Sequence, residues 1–141
     1  MKRITELEKK YVLNALDNEF RSSKNNIYTN KMEEKFSQVF KSKFSISHVN
    51  GTATMHTALK ALGVGDGDEV IVPPLTMAST SLCVLHNGSI PVFADVDKKT
   101  FNIDPKSIKE KITRKTKAII TVALYGLSPD YDEILKICHE N

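Results

Sequence analysis

The chain has 141 residues, a length that suits one compact domain. Hydrophobic residues make up 40%, enough for an ordinary core and against disorder. The formal net charge is +3, from 20 basic and 17 acidic residues, too small and scattered an excess to mark a nucleic-acid binder.

Residues 4–17 place Ile4, Leu7, Tyr11 and Leu16 near helical spacing, with charges between them. Residues 20–29 are polar and read as a loop. Asn30 followed by Glu33 resembles a capping box, and Met32, Phe36, Val39 and Phe40 then form a helical stripe expected in a core. A run at 44–49, Phe-Ser-Ile-Ser-His-Val, predicts a strand. It ends at Asn50-Gly51, and a helix is predicted over 52–62.

Gly63 to Asp68 is a turn cluster. It contains Gly-x-Gly but precedes a strand, so it is no dinucleotide fingerprint. A strand over 69–72 closes at Pro73-Pro74, and a helix follows over 78–86. Cys83 falls in that apolar run and reads as a buried thiol. Another strand spans 90–94. Asp104-Pro105 is an N-cap followed by proline at the first helical position. The basic run from Lys109 to Lys117 reads as a solvated corner before a strand over 117–122. Ser128-Pro129 opens a last helix.

Strands alternating with helices predict βα units and a mostly parallel sheet flanked by helices. Such sheets bind ligands at the carboxyl ends of their strands, where the loops at 50–52, 73–77 and 123–126 should gather. At Gly51 no Cβ blocks the backbone, so a ligand can come close. Helix N-termini carry unpartnered amides and a positive dipole end. A phosphate at Thr52 would meet both, with the hydroxyl as a further donor. The plainer reading is an Asn-Gly turn with Thr52 as an ordinary cap.

Cys83 and Cys138 stand in no zinc-type spacing. His48, His56, His86 and His139 lack nucleophiles or carboxylates at suggestive spacing. No stretch approaches membrane-spanning length and no secretory core follows the N-terminus, so a cytoplasmic setting is expected.

Six segments stand in register: Asn50 to His56, Ala61 to Thr76, Ile90 to Asp97, Asn102 to Pro105, Thr116 to Ile120 and Leu124 to Gly126. Together they resemble the DegT/DnrJ/EryC1/StrS family of pyridoxal-phosphate enzymes, which aminate nucleotide-linked keto sugars. The resemblance implies the α/β large domain of the fold type I aminotransferases, with N-terminal helices over 1–43 and the first part of the cofactor-binding domain over 44–141. It implies pyridoxal 5'-phosphate as cofactor, an amino donor such as glutamate, and a homodimer. By position, Gly51, Thr52 and Ala53 would hold the cofactor phosphate. Met77 falls where the family usually has an aromatic residue on the cofactor ring, although a plain core role fits methionine too.

The resemblance covers the family's N-terminal portion only. The Schiff-base lysine and the aspartate that pairs with the pyridine nitrogen would come after Asn141. No catalytic residue is therefore assigned, and the chain alone is expected to be inactive. A sugar-dehydratase relative, with histidine in place of the lysine, or a non-catalytic half-domain fits the same residues. Unpaired sheet edges would favour association with a copy or with further chain.

Overall fold

A computed structural model describes residues 3–18 and 26–141. Most of the loop expected over 20–29 lies outside the described residues. Two units are distinguished, Met1–Ser47 and His48–Asn141.

The first unit holds helices α1 (Glu6–Asn18) and α2 (Ile27–Phe40). The expected cap at Asn30 is corrected: Asn26 caps α2, its side chain accepting from the Tyr28 and Thr29 amides at 3.0 and 3.2 Å. Asn30 lies in the first turn, its amide donating to the Asn26 carbonyl. Tyr11 and Tyr28 pack at 5.5 Å between ring centroids, and the Tyr28 hydroxyl donates to Asn14. The expected core stripe is also corrected. Met32, Phe36, Val39 and Phe40 are all more than half exposed, and α2 has no buried residue. Two helices enclose too little volume to remove such a stripe from water.

The strand expected over 44–49 does not form. Its alternation is real, but its polar positions are used otherwise. The Ser47 amide, which a ladder would need, donates to Glu33 Oε1 at 2.7 Å, and the Ser37 hydroxyl donates to that of Ser45. Phe44 and Ile46, on the alternate positions, remain about three-quarters exposed. A strand is a pairing as well as a pattern, and the Ser47 amide pairs with a side chain.

The second unit begins with α3 (Gly51–Ala61) and continues through β1 (Glu69–Val72), α4 (Ser79–His86), β2 (Ile90–Phe93), α5 (Pro105–Lys111), β3 (Thr116–Ile119) and α6 (Tyr131–Glu140). The sheet is parallel, in the order β2-β1-β3. Lys117 is the extra residue of a bulge: Glu69 pairs with Thr116, and Val70 with Ala118. The last helix starts later than Ser128-Pro129 suggests. Asp130 is the cap, and its carboxylate accepts from the Glu133 amide at 3.1 Å.

Central β1 is buried on both sides, as its continuous apolar run requires. Val70 and Val72 pack with Leu59, Val64, Cys83 and Val84 under α3 and α4. Ile71 points the other way, into Ala94, Ile103, Ile108, Ile134 and Ile137 under α5 and α6. Cys83 is fully buried as expected, and burial pushes its thiol pKa up. Cys138 is exposed. A thiol reagent such as DTNB should therefore label one cysteine per native chain quickly and the second only on unfolding. Two fast thiols would show that the α3–α4 face opens readily.

The turn between α4 and β2 depends on Gly88, at φ 74°. A Cβ there would stand 1.8 Å from Asp66 Oδ1. Asp66 can swing aside, but the left-handed backbone cannot be avoided. Gly88→Ala should destabilise by about 1–2 kcal/mol in urea unfolding.

Candidate functional site at the carboxyl edge of the sheet

The direction of each element follows from its connections. α3 leads into the Gly63–Asp68 turn, from which β1 sets out. The same turn receives the end of α4: the Ser89 hydroxyl donates to the Gly65 carbonyl at 2.7 Å. That end of the sheet is therefore its amino edge. α3 runs opposite to β1, and its N-terminus opens towards the carboxyl edge. The loops at 73–77 and 123–126 follow β1 and β3, which are neighbours, so they leave from that edge too.

The first turn of α3 has a definite donor arrangement. Asn50, in extended conformation, is the N-cap, and the helix starts at Gly51. The plainer reading of Thr52 as cap is corrected, since Thr52 is already helical. The Asn50 side chain accepts from the Ala53 amide at 2.9 Å, and its carbonyl accepts from Thr54. The Gly51 and Thr52 amides have no acceptor among the described residues. Nothing lies within 4 Å of a Cβ built on Gly51. Two open donors beside an uncovered backbone, at a positive helix end, suit a phosphate. The third expected donor, Ala53, is already engaged by Asn50.

Met77 stands just ahead of α4, its carbonyl accepting from the Thr80 amide at 3.0 Å. The residue is 77% exposed in this chain, against the plain core reading. Beyond β3, residues 124–126 form a short 3-10 turn that includes Tyr125 and Gly126, both at positive φ.

The histidines give no second centre. His56 and His86 meet edge-on at 6.0 Å between ring centroids. Among the described residues no group of three or more His, Cys, Asp or Glu could hold a metal ion. No described helix is long and apolar enough to cross a membrane. The basic run at and beyond the end of α5 is solvated, with Lys111, Arg114 and Lys115 all exposed.

Beyond β2, Asp97 Oδ1 accepts from the Lys99 and Thr100 amides, both at 2.9 Å. The Thr100 amide first, then that of Lys99, holds its carboxyl below the usual range. The turn's contribution is therefore present above the ordinary aspartate pKa and lost as pH falls through the depressed one. Asp97→Asn should flatten that acid limb of the stability profile. An unchanged limb would show that Asp97 carries none of it.

A parallel sheet between helix layers, with a helix N-terminus and two loops at its carboxyl edge, defines an α/β fold of the ligand-binding kind. The chain belongs to the DegT/DnrJ/EryC1/StrS aminotransferase family, which it matches over residues 2–141. It is 41% identical over 134 residues to GDP-perosamine synthase of Escherichia coli O157:H7, covering 95% of this chain and 36% of that one. It is 42% identical over 104 residues to the UDP-2-acetamido-2-deoxy-3-oxo-D-glucuronate aminotransferase of Pseudomonas aeruginosa, covering 74% and 29%. Among solved structures it resembles NtdA from Bacillus subtilis with bound cofactor PMP. The TM-score is 0.84 at 34% identity, covering 97% of this chain and 32% of that one. The chain thus spans about a third of the length of these relatives. The NtdA structure holds PMP, and the family implies pyridoxal phosphate as cofactor.

Sequence reasoning reached Thr52 but missed that Asn50 claims the Ala53 amide. The signal was present, since asparagine three residues before an amide in a first turn is a common cap. It placed Asn102 in a matching segment but gave no hint of what its side chain does. This residue is 4% exposed, and its side chain bonds the backbone at Leu124 and Leu127. The partners lie more than twenty residues away, beyond the reach of local spacing.

Proposed function

We propose that this chain supplies the phosphate-holding edge of a pyridoxal-phosphate aminotransferase that aminates a nucleotide-linked keto sugar, with glutamate as amino donor. The enzyme works as a homodimer in the cytoplasm and needs neither nucleic acid nor membrane. The observation that carries the reading is the pair of open amides at Gly51 and Thr52. Both donate to the cofactor phosphate, and the half-buried Thr52 hydroxyl adds a third bond. Ala53 joins them where the Asn50 side chain yields its amide. Met77, exposed at the same edge, packs its polarizable sulfur on the cofactor ring. When bound, the cofactor carries the amino group and withdraws electrons from the reacting carbon. We assign no proton-moving residue within these 141 residues. Their part is to bind and orient.

The Asn50 cap gives a test. Asn50→Asp keeps the cap but sets a carboxylate beside the incoming phosphate. It should weaken pyridoxal-phosphate binding about tenfold or more, measured by equilibrium dialysis, with little loss of helix stability. Unchanged binding would place the phosphate elsewhere.

A further inference from the structure

Asn-Gly occurs twice in the chain, at Asn50-Gly51 and Asn87-Gly88, and the fold gives the two copies opposite surroundings. Asparagine is a chemically labile residue, and glycine after it opens a route that needs no enzyme. The glycine nitrogen attacks the asparagine Cγ, a succinimide ring closes and ammonia leaves. Water then opens the ring at either carbonyl, which leaves aspartate or isoaspartate. Glycine favours the attack because no Cβ hinders the approach. The step also depends on three polar groups. The attacking N–H must give up its proton, Oδ1 must carry negative charge as the new bond forms, and Nδ2 must be free to leave.

At Asn50 all three favour ring closure. The Gly51 amide has no acceptor among the described residues, and nothing lies within 4 Å of a Cβ built on Gly51. The Ala53 amide donates to Oδ1 at 2.9 Å, where it polarises the carbonyl and steadies the developing charge. No described acceptor holds the Asn50 Nδ2. Asn87 reverses each point. Its Oδ1 is buried with no donor among the described residues. Its Nδ2 donates to the Cys83 and His56 carbonyls at 2.9 and 3.2 Å, which anchors the side chain. The Gly88 amide already donates to the Leu85 carbonyl at 2.9 Å. We propose that Asn50 is a site of spontaneous deamidation whose carboxylate product closes the first turn of α3 to phosphate. The chemistry at Asn50 stands alone, and its consequence rests on the aminotransferase reading above. Aspartate sets a negative charge beside the phosphate, and isoaspartate also adds a methylene to the backbone just ahead of the two open amides. A bound phosphate accepts from the Gly51 amide and so occupies the attacking nitrogen. The empty chain therefore ages at this point, and the cofactor-loaded chain is spared.

The test is incubation of the chain in mildly alkaline buffer, with peptide mass spectrometry following both asparagines. It is run on the native chain, in urea, and with pyridoxal phosphate or pyridoxal added. In urea the two sites should convert at similar rates. In the native chain Asn50 should convert about tenfold or more faster than Asn87, and faster still as pH rises and hydroxide removes the Gly51 proton. Gly51→Ala, whose methyl meets nothing, should melt near the parent and slow conversion at Asn50 about tenfold. Pyridoxal phosphate should slow Asn50 alone, and pyridoxal neither site. Chains converted at Asn50 should bind pyridoxal phosphate about tenfold more weakly. A native Asn50 rate no higher than that of Asn87 would show that the cap protects the amide, and the proposal falls while the aminotransferase reading stands. Rapid conversion that pyridoxal phosphate does not slow would overturn the link to the cofactor and count against the phosphate site itself.

Discussion

Ile71→Ala should cost about 2–5 kcal/mol, the largest loss expected from any single truncation in the chain. Ile71 is fully buried in the central strand and meets residues from three directions: Ala94 beyond β2, Ile103 and Ile108 at α5, and Ile134 and Ile137 on α6. The strand cannot move to fill the gap, because β2 and β3 hold it on both sides. A domain of this size has only about 5–15 kcal/mol in total, so the variant should lose much of its cooperative transition. Ile71→Val, which removes one methyl group, should cost about 0.5–1.5 kcal/mol. Urea unfolding followed by circular dichroism checks both. A loss below about 1 kcal/mol for the alanine variant would mean that the α5–α6 face is loosely packed.

Thr52→Pro should abolish most of the binding of pyridoxal phosphate. It removes one of the two open amides and the hydroxyl together. Each donor to a charged phosphate contributes roughly 1.5–3 kcal/mol, so the loss should exceed tenfold. The helix itself should survive, because proline is accepted in a first helical turn, where the missing amide has no intrahelical partner. That separates binding from folding: the variant should melt near the parent. Thr52→Val, which keeps the amide and loses only the hydroxyl, should fall between the two. Equal affinity in all three proteins would remove Thr52 from the site.

The second unit was largely legible in the sequence. β1 and β2 were readable because short apolar runs ended in Pro73-Pro74 and, for β2, began after Asn87-Gly88. α5 was readable because Asp104-Pro105 is a strong local start, and the Asp104 side chain does accept from the Lys106 amide. Two of the errors share a cause. The strand at 44–49 and the core stripe of α2 both have correct local patterns. What they lacked was a partner, and pairing and burial are tertiary facts. The shift of α6 is smaller. Asp130 outcompetes Ser128 because its carboxylate lies three residues before the Glu133 amide.

The site divides in the same way. Gly51 and Thr52 could be read from a glycine corner before a helix, since their role lies in their own backbone. Met77 was ambiguous, because exposure decides it and exposure is not local. The Asn102 bonds to Leu124 and Leu127 were invisible for the same reason: the loop they hold is distant in sequence.

The central claim is that the first turn of α3 holds the cofactor phosphate. Its most direct test is a nitrogen-15 amide spectrum of the chain titrated with pyridoxal phosphate and, separately, with pyridoxal. The account predicts that the Gly51 and Thr52 amide signals move downfield with pyridoxal phosphate and stay in place with pyridoxal. Shifts that appear equally with both, or that fall elsewhere while these two amides stay still, would contradict it.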